Sequence, residues 1–267
     1  MDAPGFEPKP AHPVREAPIP TRVVLAAAPK AGRRSLTSVA PSALAHVKVN
    51  VADLLASDAR PALERGTLTH RWMEEIEWLD HASPTRDALL AASATGEWIS
   101  IQPADYVAEF LDTLKRPGIA AMFRESEYRR GAASYFPPAI GEKIAAPEVA
   151  LRVERERDFW IRDDEQMVTG SIDRLIVFEL AGKPIAAEII DFKTDRAAPG
   201  DQARLRELAD RYRPQLSAYC RAVAEMLQLP AEQVIARLLV IQAGEAVPIS
   251  GGPAMSSPKP QQRQLGF

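Results

Sequence analysis

The sequence predicts an α/β fold with a mixed central sheet, because a helical N-terminal half is followed by a β-β-β-α-β half. Apolar residues recur at spacings of three and four in the first half, which indicates amphipathic helices. Near residue 149 the pattern changes to consecutive strand-like runs, and a last apolar strand follows a helical stretch. This order is typical of a sheet flanked by helices.

The two ends of the chain differ from the part between them. Residues 1–40 are rich in Pro and Ala and lack an apolar period, which predicts a disordered arm or linker. Residues 250–267 are rich in Pro, Gly, Ser and Gln and are also predicted to be disordered. The folded domain is therefore expected to span 41–249, starting with a short helical segment at Pro41–Ala45.

The first long amphipathic helix is predicted from residue 66 to about residue 79. Its apolar positions are Leu68, Trp72, Ile76 and Leu79. Further helices are predicted near 84–95, 103–114 and 117–130. The prolines at positions 137, 138 and 147 are expected to break the helical pattern before the strands begin.

The second half is predicted to contain four strands and two helices. The first three strands cover 149–161, 167–180 and 185–193, and the fourth covers 234–242. A helix is expected over about 202–212. Pro214 is expected to open a separate helix that ends near Leu227, because proline is favoured in a first helical turn.

The third strand places a carboxylate and an ammonium side by side. Asp191 and Lys193 are two residues apart, so their side chains project from one face of the strand. Ile190 and Phe192 are then expected to point into the core from the other face.

A second carboxylate is expected to approach this pair. The turn-like segment 181–184 predicts a hairpin that would bring Asp173 towards Asp191. Two carboxylates beside a lysine suit a divalent cation and a phosphodiester. An isolated Asp-x-Lys triplet is usually a surface ion pair, but its position in an apolar run beside a Gly-x-x-Asp strand favours a metal-dependent nuclease.

Composition restricts the other function classes. The hydrophobic fraction of 46% is ordinary for a globular protein, and the net charge of −3 gives no sign of a strongly basic nucleic-acid-binding surface. No apolar run has the length of a membrane span and no secretory leader is recognisable, so a cytoplasmic location is expected. The single cysteine, Cys220, excludes an iron–sulfur cluster held by four cysteines of this chain.

Three ordered segments resemble the RecB/AddA-type nuclease domain of the PD-(D/E)XK superfamily. They are Gly170–Leu175, Ile189–Asp195 and Tyr212–Tyr219. The resemblance covers roughly 41–249 and implies a restriction-endonuclease-like core that uses Mg²⁺ or Mn²⁺. It implies that Asp173 and Asp191 bind the metal together with the backbone carbonyl of Phe192, and that Lys193 is catalytic.

Two further site residues are implied by the same resemblance. The family carries a histidine after a glycine on an upstream helix, and Gly66–His70 matches, so His70 is the expected additional metal ligand. By its own context, beside an apolar stripe, His70 is equally consistent with a structural histidine. Glu156 fits the glutamate that the family carries on the preceding strand, and Glu154 is the other candidate.

The resemblance also assigns residues around this centre. Gln215 and Tyr219 are four apart and share a helix face. They are implied to lie beside the active site, where they would orient Lys193 or a phosphate. Arg174 and Arg213 are candidates for contact with the DNA backbone.

Two partners besides DNA are expected. The chain has no phosphate-binding loop of an ATPase, since Gly182-Lys183 is followed by proline, so a helicase subunit in trans is an expected partner and the chain is free-standing, a subunit or a fragment. The last six residues resemble peptides that dock on the sliding clamp, with Gln262, Leu265 and Phe267 as anchors. The alternative for this tail is a random polar terminus.

The sequence therefore predicts a Mg²⁺- or Mn²⁺-dependent deoxyribonuclease of the recombination and double-strand-break-repair type. Its expected catalytic residues are Asp173, Asp191, Lys193, Glu156, Gln215 and Tyr219. The alternative is a non-catalytic DNA-binding or assembly module that retains the nuclease fold. The presence of both aspartates and the lysine favours the enzyme.

Overall fold

The computed structural model describes residues 37–39, 59–163 and 166–249, which form one mixed six-stranded sheet with packed helices. The strands are β1 (Thr37–Val39), β2 (Ala150–Asp163), β3 (Gln166–Leu180), β4 (Lys183–Lys193), β5 (Val234–Val240) and β6 (Glu245–Ile249). The helices are α1 (Ala59–Glu74), α2 (Arg86–Ser93), α3 (Pro103–Thr113), α4 (Pro117–Phe123), α5 (Glu125–Ala132), α6 (Pro138–Ile144) and α7 (Gln202–Leu227). The predicted α/β fold with a helical N-terminal half is confirmed.

Proline changes the N-terminal helices in ways that the sequence pattern did not predict. Instead of one helix over 117–130, the structure has α4 and α5, which are separated where Arg124 adopts an extended backbone. Pro138 was expected only to break the pattern, but it begins α6. Proline fits the first helical turn because no intrahelical partner exists there for its missing N–H.

β3 organises the sheet. β2 pairs antiparallel along almost its full length, which occupies one edge of β3. On the other edge, β4 pairs antiparallel with 174–180 and β1 pairs in parallel with 166–168. β4 also pairs in parallel with β5, and β5 pairs antiparallel with β6, so β4 is a central strand.

The predicted β3–β4 hairpin is present and has a two-residue turn. Leu180 pairs with Lys183, and the two residues between them, Ala181 and Gly182, have φ of 51° and 74°. Positive φ at both central positions matches the right-handed twist of the flanking strands. This turn sets the register that carries Asp173 towards β4.

β4 lies between two hydrophobic cores. Ile190 and Phe192 belong to the core built with α1–α6, whereas Ala187 and Ile189 belong to the core built with α7. The strand is buried from residue 186 to residue 192. The predicted inward direction of Ile190 and Phe192 is thereby confirmed.

α7 is one continuous helix, so the prediction that Pro214 opens a second helix was wrong. Pro214 lies inside the helix and is exposed. A proline in a helix interior costs about 3 kcal/mol. Here a single buried stripe runs on both sides of it and offsets that cost through packing. The stripe includes Leu205, Leu208, Tyr212, Leu216, Tyr219 and Val223.

The β2–β3 hairpin changes its buried face at Glu156. Val153 packs on the core of the N-terminal helices, whereas Phe159, an even number of positions along β2, packs on the α7 core. On β3, Ile172 and Leu175 share one core although three positions separate them. Glu156 has φ of 45°, an uncommon left-handed conformation for a residue with a side chain, and it is the point at which the backbone of β2 rotates.

Some predictions concern the ends of the chain. Thr37–Val39 form β1, so the predicted disordered arm over 1–40 was wrong for these three residues. The rest of the arm, the helical segment at Pro41–Ala45 and the tail residues Gln262, Leu265 and Phe267 lie outside the described residues. No helix in the described part of the chain is long and apolar enough to cross a membrane.

Candidate active site

The candidate site lies where β3 and β4 separate. Their last paired residues are Arg174 and Ile190, and Asp173 and Asp191 come directly after this pair on the two strands. In place of a backbone partner on β3, the amide N–H of Phe192 donates to Oδ2 of Asp173 over 2.6 Å. The gap between the strands therefore holds side chains.

His70, Glu156 and Asp173 converge at this gap. One potential ligand atom from each lies within 4.8 Å of the others. His70 Nδ1 is 3.7 Å from Asp173 Oδ2. The three residues come from α1, β2 and β3, so the sheet and the N-terminal helices together build the group. The sequence named all three.

Helix α1 fixes the position of His70. Leu68, Trp72 and Met73 are buried in the core, which leaves His70 half-buried on the side of β4. Its ring meets the ring of Phe192 edge-on, with 5.8 Å between centroids. One turn earlier, a Cβ on Gly66 would come within 3.1 Å of Thr194 Oγ1. The glycine therefore allows α1 to approach the end of β4.

The carboxylates of this group are held in an unfavourable environment. Burial and the neighbouring Asp191 raise the pKa of Asp173 to about 8. Burial and the charge of Asp173 raise the pKa of Glu156 to about 7. The pKa of His70 is lowered, because burial and the Lys193 ammonium disfavour the imidazolium. Buried, mutually repelling carboxylates beside a neutral imidazole match the donor set of a divalent cation.

Asp191 is engaged differently from Asp173. Its Oδ2 lies 2.6 Å from Lys193 Nζ, and its Oδ1 accepts a hydrogen bond of 3.4 Å from Gln215 Nε2. Burial disfavours the Lys193 ammonium, but Asp191 and Asp173 outweigh this effect and raise its pKa. Asp191 is not part of the three-residue group. Its expected role as a metal ligand, like that of the Phe192 carbonyl, stays a prediction.

One face of α7 supports Asp191 and Lys193. Gln215 donates to Tyr219 OH over 2.8 Å as well as to Asp191, so the expected placement of Gln215 and Tyr219 agrees with the geometry. Tyr212 was not assigned a role from the sequence, yet the centroid of its ring lies 4.7 Å from Lys193 Nζ. The spacing of Tyr212, Gln215 and Tyr219 by three and four could have indicated this shared face.

A cleft of about 1130 Å³ opens beside the three-residue group. α1 forms one wall from Ala59 to Glu74, and the segment after β4, Thr194–Arg196, contributes to the lining. His70, Glu156 and Asp173 all line it. Lys193 borders the cleft in sequence and remains 17% exposed.

The structure removes Arg174 from the candidate DNA contacts. Its side chain is 1% exposed and lies between the rings of Trp78 and Phe123. Its guanidinium donates to the carbonyls of Ile76 and Glu77 at 2.8 and 2.5 Å. Because Arg174 follows the point at which β3 changes face, it turns into the core. Arg213 lies on α7 with Asp210 at 2.6 Å, and its contact with DNA stays a prediction.

Comparisons with known proteins place the chain beside nucleases. A profile described as the PD-(D/E)XK nuclease superfamily matches residues 36–264. The larger subunit of an ATP-dependent helicase/nuclease from Desulforudis audaxviator is 34% identical over 110 residues, which is 36% of this chain and 8% of that protein. A protein of the same name from Limosilactobacillus fermentum is 28% identical over 145 residues, 48% of this chain and 10% of the relative. The matches thus cover a tenth or less of these relatives.

Proposed function

This chain belongs to the PD-(D/E)XK nuclease superfamily, and from that premise we propose that it is a divalent-metal-dependent deoxyribonuclease. The reaction is hydrolysis of a phosphodiester bond in DNA by water. The observation that carries the proposal is the convergence of His70, Glu156 and Asp173 beside the Asp191–Lys193 pair at one cleft. A nuclease needs a cation site and a fixed positive charge at the same phosphate, and this arrangement offers both.

The residues present fit a hard divalent cation. An imidazole nitrogen and two carboxylates are acceptable ligands for Mg²⁺ or Mn²⁺, and open positions remain for water and phosphate oxygen. When bound, the cation would supply Lewis-acid stabilisation of phosphate charge and a more acidic water. Asp191, next to this group, is a further ligand candidate.

Lys193 acts as a permanent cation in this proposal. Because Asp191 and Asp173 raise its pKa, it stays protonated at neutral pH and does not serve as a general base. Its ammonium instead positions the attacking water by donating a hydrogen bond, or stabilises the charge that develops on the phosphate. Gln215 and the ring of Tyr212 hold the Asp191–Lys193 pair in this orientation.

A role beside a helicase follows from the names of the relatives. Both names contain the words helicase and nuclease, so we place this nuclease in DNA recombination and double-strand-break repair, next to a helicase activity. Docking on the sliding clamp through Gln262, Leu265 and Phe267 remains a separate prediction from the sequence.

The test is hydrolysis of end-labelled single- and double-stranded DNA by the full chain with Mg²⁺, with Mn²⁺ and with a chelator. We expect cutting with either metal and none with the chelator. Lys193→Ala and Asp191→Ala should lower the rate by at least about 10³-fold, since each removes a charge that acts in the transition state.

Arg130→Gln is the matched control, because Arg130 is exposed on α5 away from the cleft. It should cut like the wild type. DNA binding without hydrolysis, under all metals and with a helicase partner present, would instead support the non-catalytic module.

A further inference from the structure

We infer that Arg116 and Arg196 form a subsite for backbone phosphates of the DNA strand that is cut. This inference rests on the proposed function and assigns the substrate contacts that Arg174, now found in the core, cannot make. Both arginines line the cleft that contains His70, Glu156 and Asp173. Within the described part of the chain, neither guanidinium has a carboxylate within ion-pair distance.

Arg116 is held in place by neutral groups. Its Nη1 donates to the carbonyls of Ile241 and Gln242 at 3.3 and 2.9 Å. Ile241 in turn donates its amide N–H to the carbonyl of Lys193 over 2.9 Å. The guanidinium is therefore fixed at the end of the sheet that carries Lys193, and its charge is not neutralised by a side chain.

The backbone around Arg116 is packed closely enough to orient it. A Cβ on Gly244 would meet Cδ of Arg116 at 3.3 Å, so the arginine stem lies against the β5–β6 turn. A Cβ on Gly118 would come within 2.0 Å of the Gly244 carbonyl oxygen. These two glycines let α4 and the turn approach each other. An arginine oriented in this way is prepared to bind an anion without further ordering.

Arg196 lies on the other side of the same sheet end. It follows Lys193 by three residues, so their Cα atoms are at most about 11 Å apart. Its side chain is exposed. A guanidinium at this distance can reach a phosphate next to the one that Lys193 contacts, since the reach of the two side chains covers the spacing of neighbouring phosphates.

Other charges in the cleft are already engaged or belong to the cation site. Arg65 pairs with Glu109 at 3.0 Å, and Asp195 pairs with Arg211 at 3.4 Å. Glu74 stands near the cation ligands and adds to the repulsion that raises the pKa of Glu156. The free positive charge of the lining is thus concentrated in Arg116 and Arg196.

The cleft is long enough for several nucleotides on one side of the cation ligands. From His70 to Ala59 the wall formed by α1 extends roughly 16 Å, given the helical rise of about 1.5 Å per residue. Both ends of this stretch line the cleft. A DNA strand that enters along α1 would pass the two arginines as it approaches the cation site.

The test measures how salt weakens DNA binding. A labelled single-stranded oligonucleotide is titrated with the full chain in Ca²⁺ at several salt concentrations, and a gel confirms that the DNA is intact. Each lost phosphate contact lowers the slope of log K against log salt by about 0.7 for single strands, so Arg116→Gln/Arg196→Gln should lower it by about 1.4. Affinity at low salt should fall roughly 10- to 100-fold.

Three variants separate phosphate binding from a structural role. Arg130→Gln should retain the wild-type slope. Arg116→Lys should keep most of it, because the charge remains although the two carbonyl contacts change. Arg196→Gln alone should lower the slope by about 0.7 with an unchanged melting temperature, since the side chain is exposed. A double variant with the same slope as Arg130→Gln overturns the inference.

The same measurements distinguish this inference from the proposed function. If the wild type cuts DNA and the double variant keeps the wild-type slope, only the arginine subsite is wrong. If the slope falls as expected but no metal supports cutting, the subsite stands and the nuclease proposal fails. A wild type that neither binds nor cuts DNA contradicts both.

Discussion

Strand β4 carries two charged pairs that differ in almost every respect except their chemistry. Asp191 and Lys193 lie 2.6 Å apart at the open end of the strand, with Lys193 17% exposed. Three residues before Asp191, Glu188 is 0% exposed and pairs with Arg237, which is 1% exposed. Tyr128 also donates to Glu188. The inner pair is closed by its protein partners, whereas the outer pair faces a cleft that can admit a ligand.

The comparison teaches that burial of a charge does not by itself mark a functional site. The inner cluster joins β4, β5 and α5 and has no route to solvent, so its role is structural. The outer cluster combines repelling carboxylates with a cleft. Each of the following changes should therefore affect mainly activity or mainly stability.

The largest effect is expected from Asp173→Asn in the outer cluster. Loss of one carboxylate from the cation site should lower the rate of DNA hydrolysis by at least about 10³-fold. The metal-free protein should be no less stable than the wild type, because the substitution removes repulsion with Asp191 and Glu156. Rates of DNA cutting and urea unfolding check the two halves, and a destabilised metal-free Asp173→Asn would blur the distinction between the clusters.

The opposite result is expected for Glu188→Ala in the inner cluster. Breaking a buried pair leaves Arg237 uncompensated and should cost about 3–5 kcal/mol of unfolding free energy. The rate per folded molecule should stay near the wild-type value. Glu188→Leu/Arg237→Met/Tyr128→Phe, which removes all three polar partners, should recover most of the stability. Thermal unfolding and activity assays below the transition measure both, and an inactive but folded Glu188→Ala would contradict a purely structural role.

Metal binding should produce a smaller stabilisation confined to the outer cluster. At about 100 times its dissociation constant, Mn²⁺ should stabilise the fold by about 2.7 kcal/mol, or roughly 5–10 °C in melting temperature. His70→Ala should lose most of this shift, while Arg130→Gln keeps it. An equal shift in His70→Ala would show that the imidazole is not a ligand.

The smallest effect concerns the backbone at Glu156. With φ of 45°, this position suits glycine better than any residue with a Cβ. Glu156→Gly should therefore be about 1 kcal/mol more stable than Glu156→Ala, although both lack the carboxylate. Urea unfolding of the two variants compares them directly. Equal stabilities would mean that Glu156 is not strained.

Much of the fold and of the site could be predicted because periodicity and spacing are local properties. The alternation of Ile190 and Phe192 with Asp191 and Lys193 follows from the strand repeat alone. The three-residue group is different, since α1, β2 and β3 meet only in the folded protein. His70 and Glu156 were found through the family resemblance, and their own sequence context did not distinguish them from structural residues.

The errors arose where tertiary packing overrides a local rule. Pro214 has the sequence context of a helix start, but the buried face of α7 extends through it. Arg174 has the context of an exposed residue next to a metal ligand. The change of face in the β2–β3 hairpin turns it inward, and no local signal in the sequence announces a left-handed Glu156.

The hydrogen bond from the Phe192 amide to Asp173 gives the protein a built-in spectroscopic reporter. This N–H is bound by a side-chain carboxylate at the edge of the candidate cation site. Its nitrogen and proton chemical shifts should therefore respond when that carboxylate changes its partner. The Ile190 amide, two residues earlier on the same strand, lies within the regular part of the sheet and serves as the internal reference. One pair of NMR signals can thus follow occupancy of the site without any substitution.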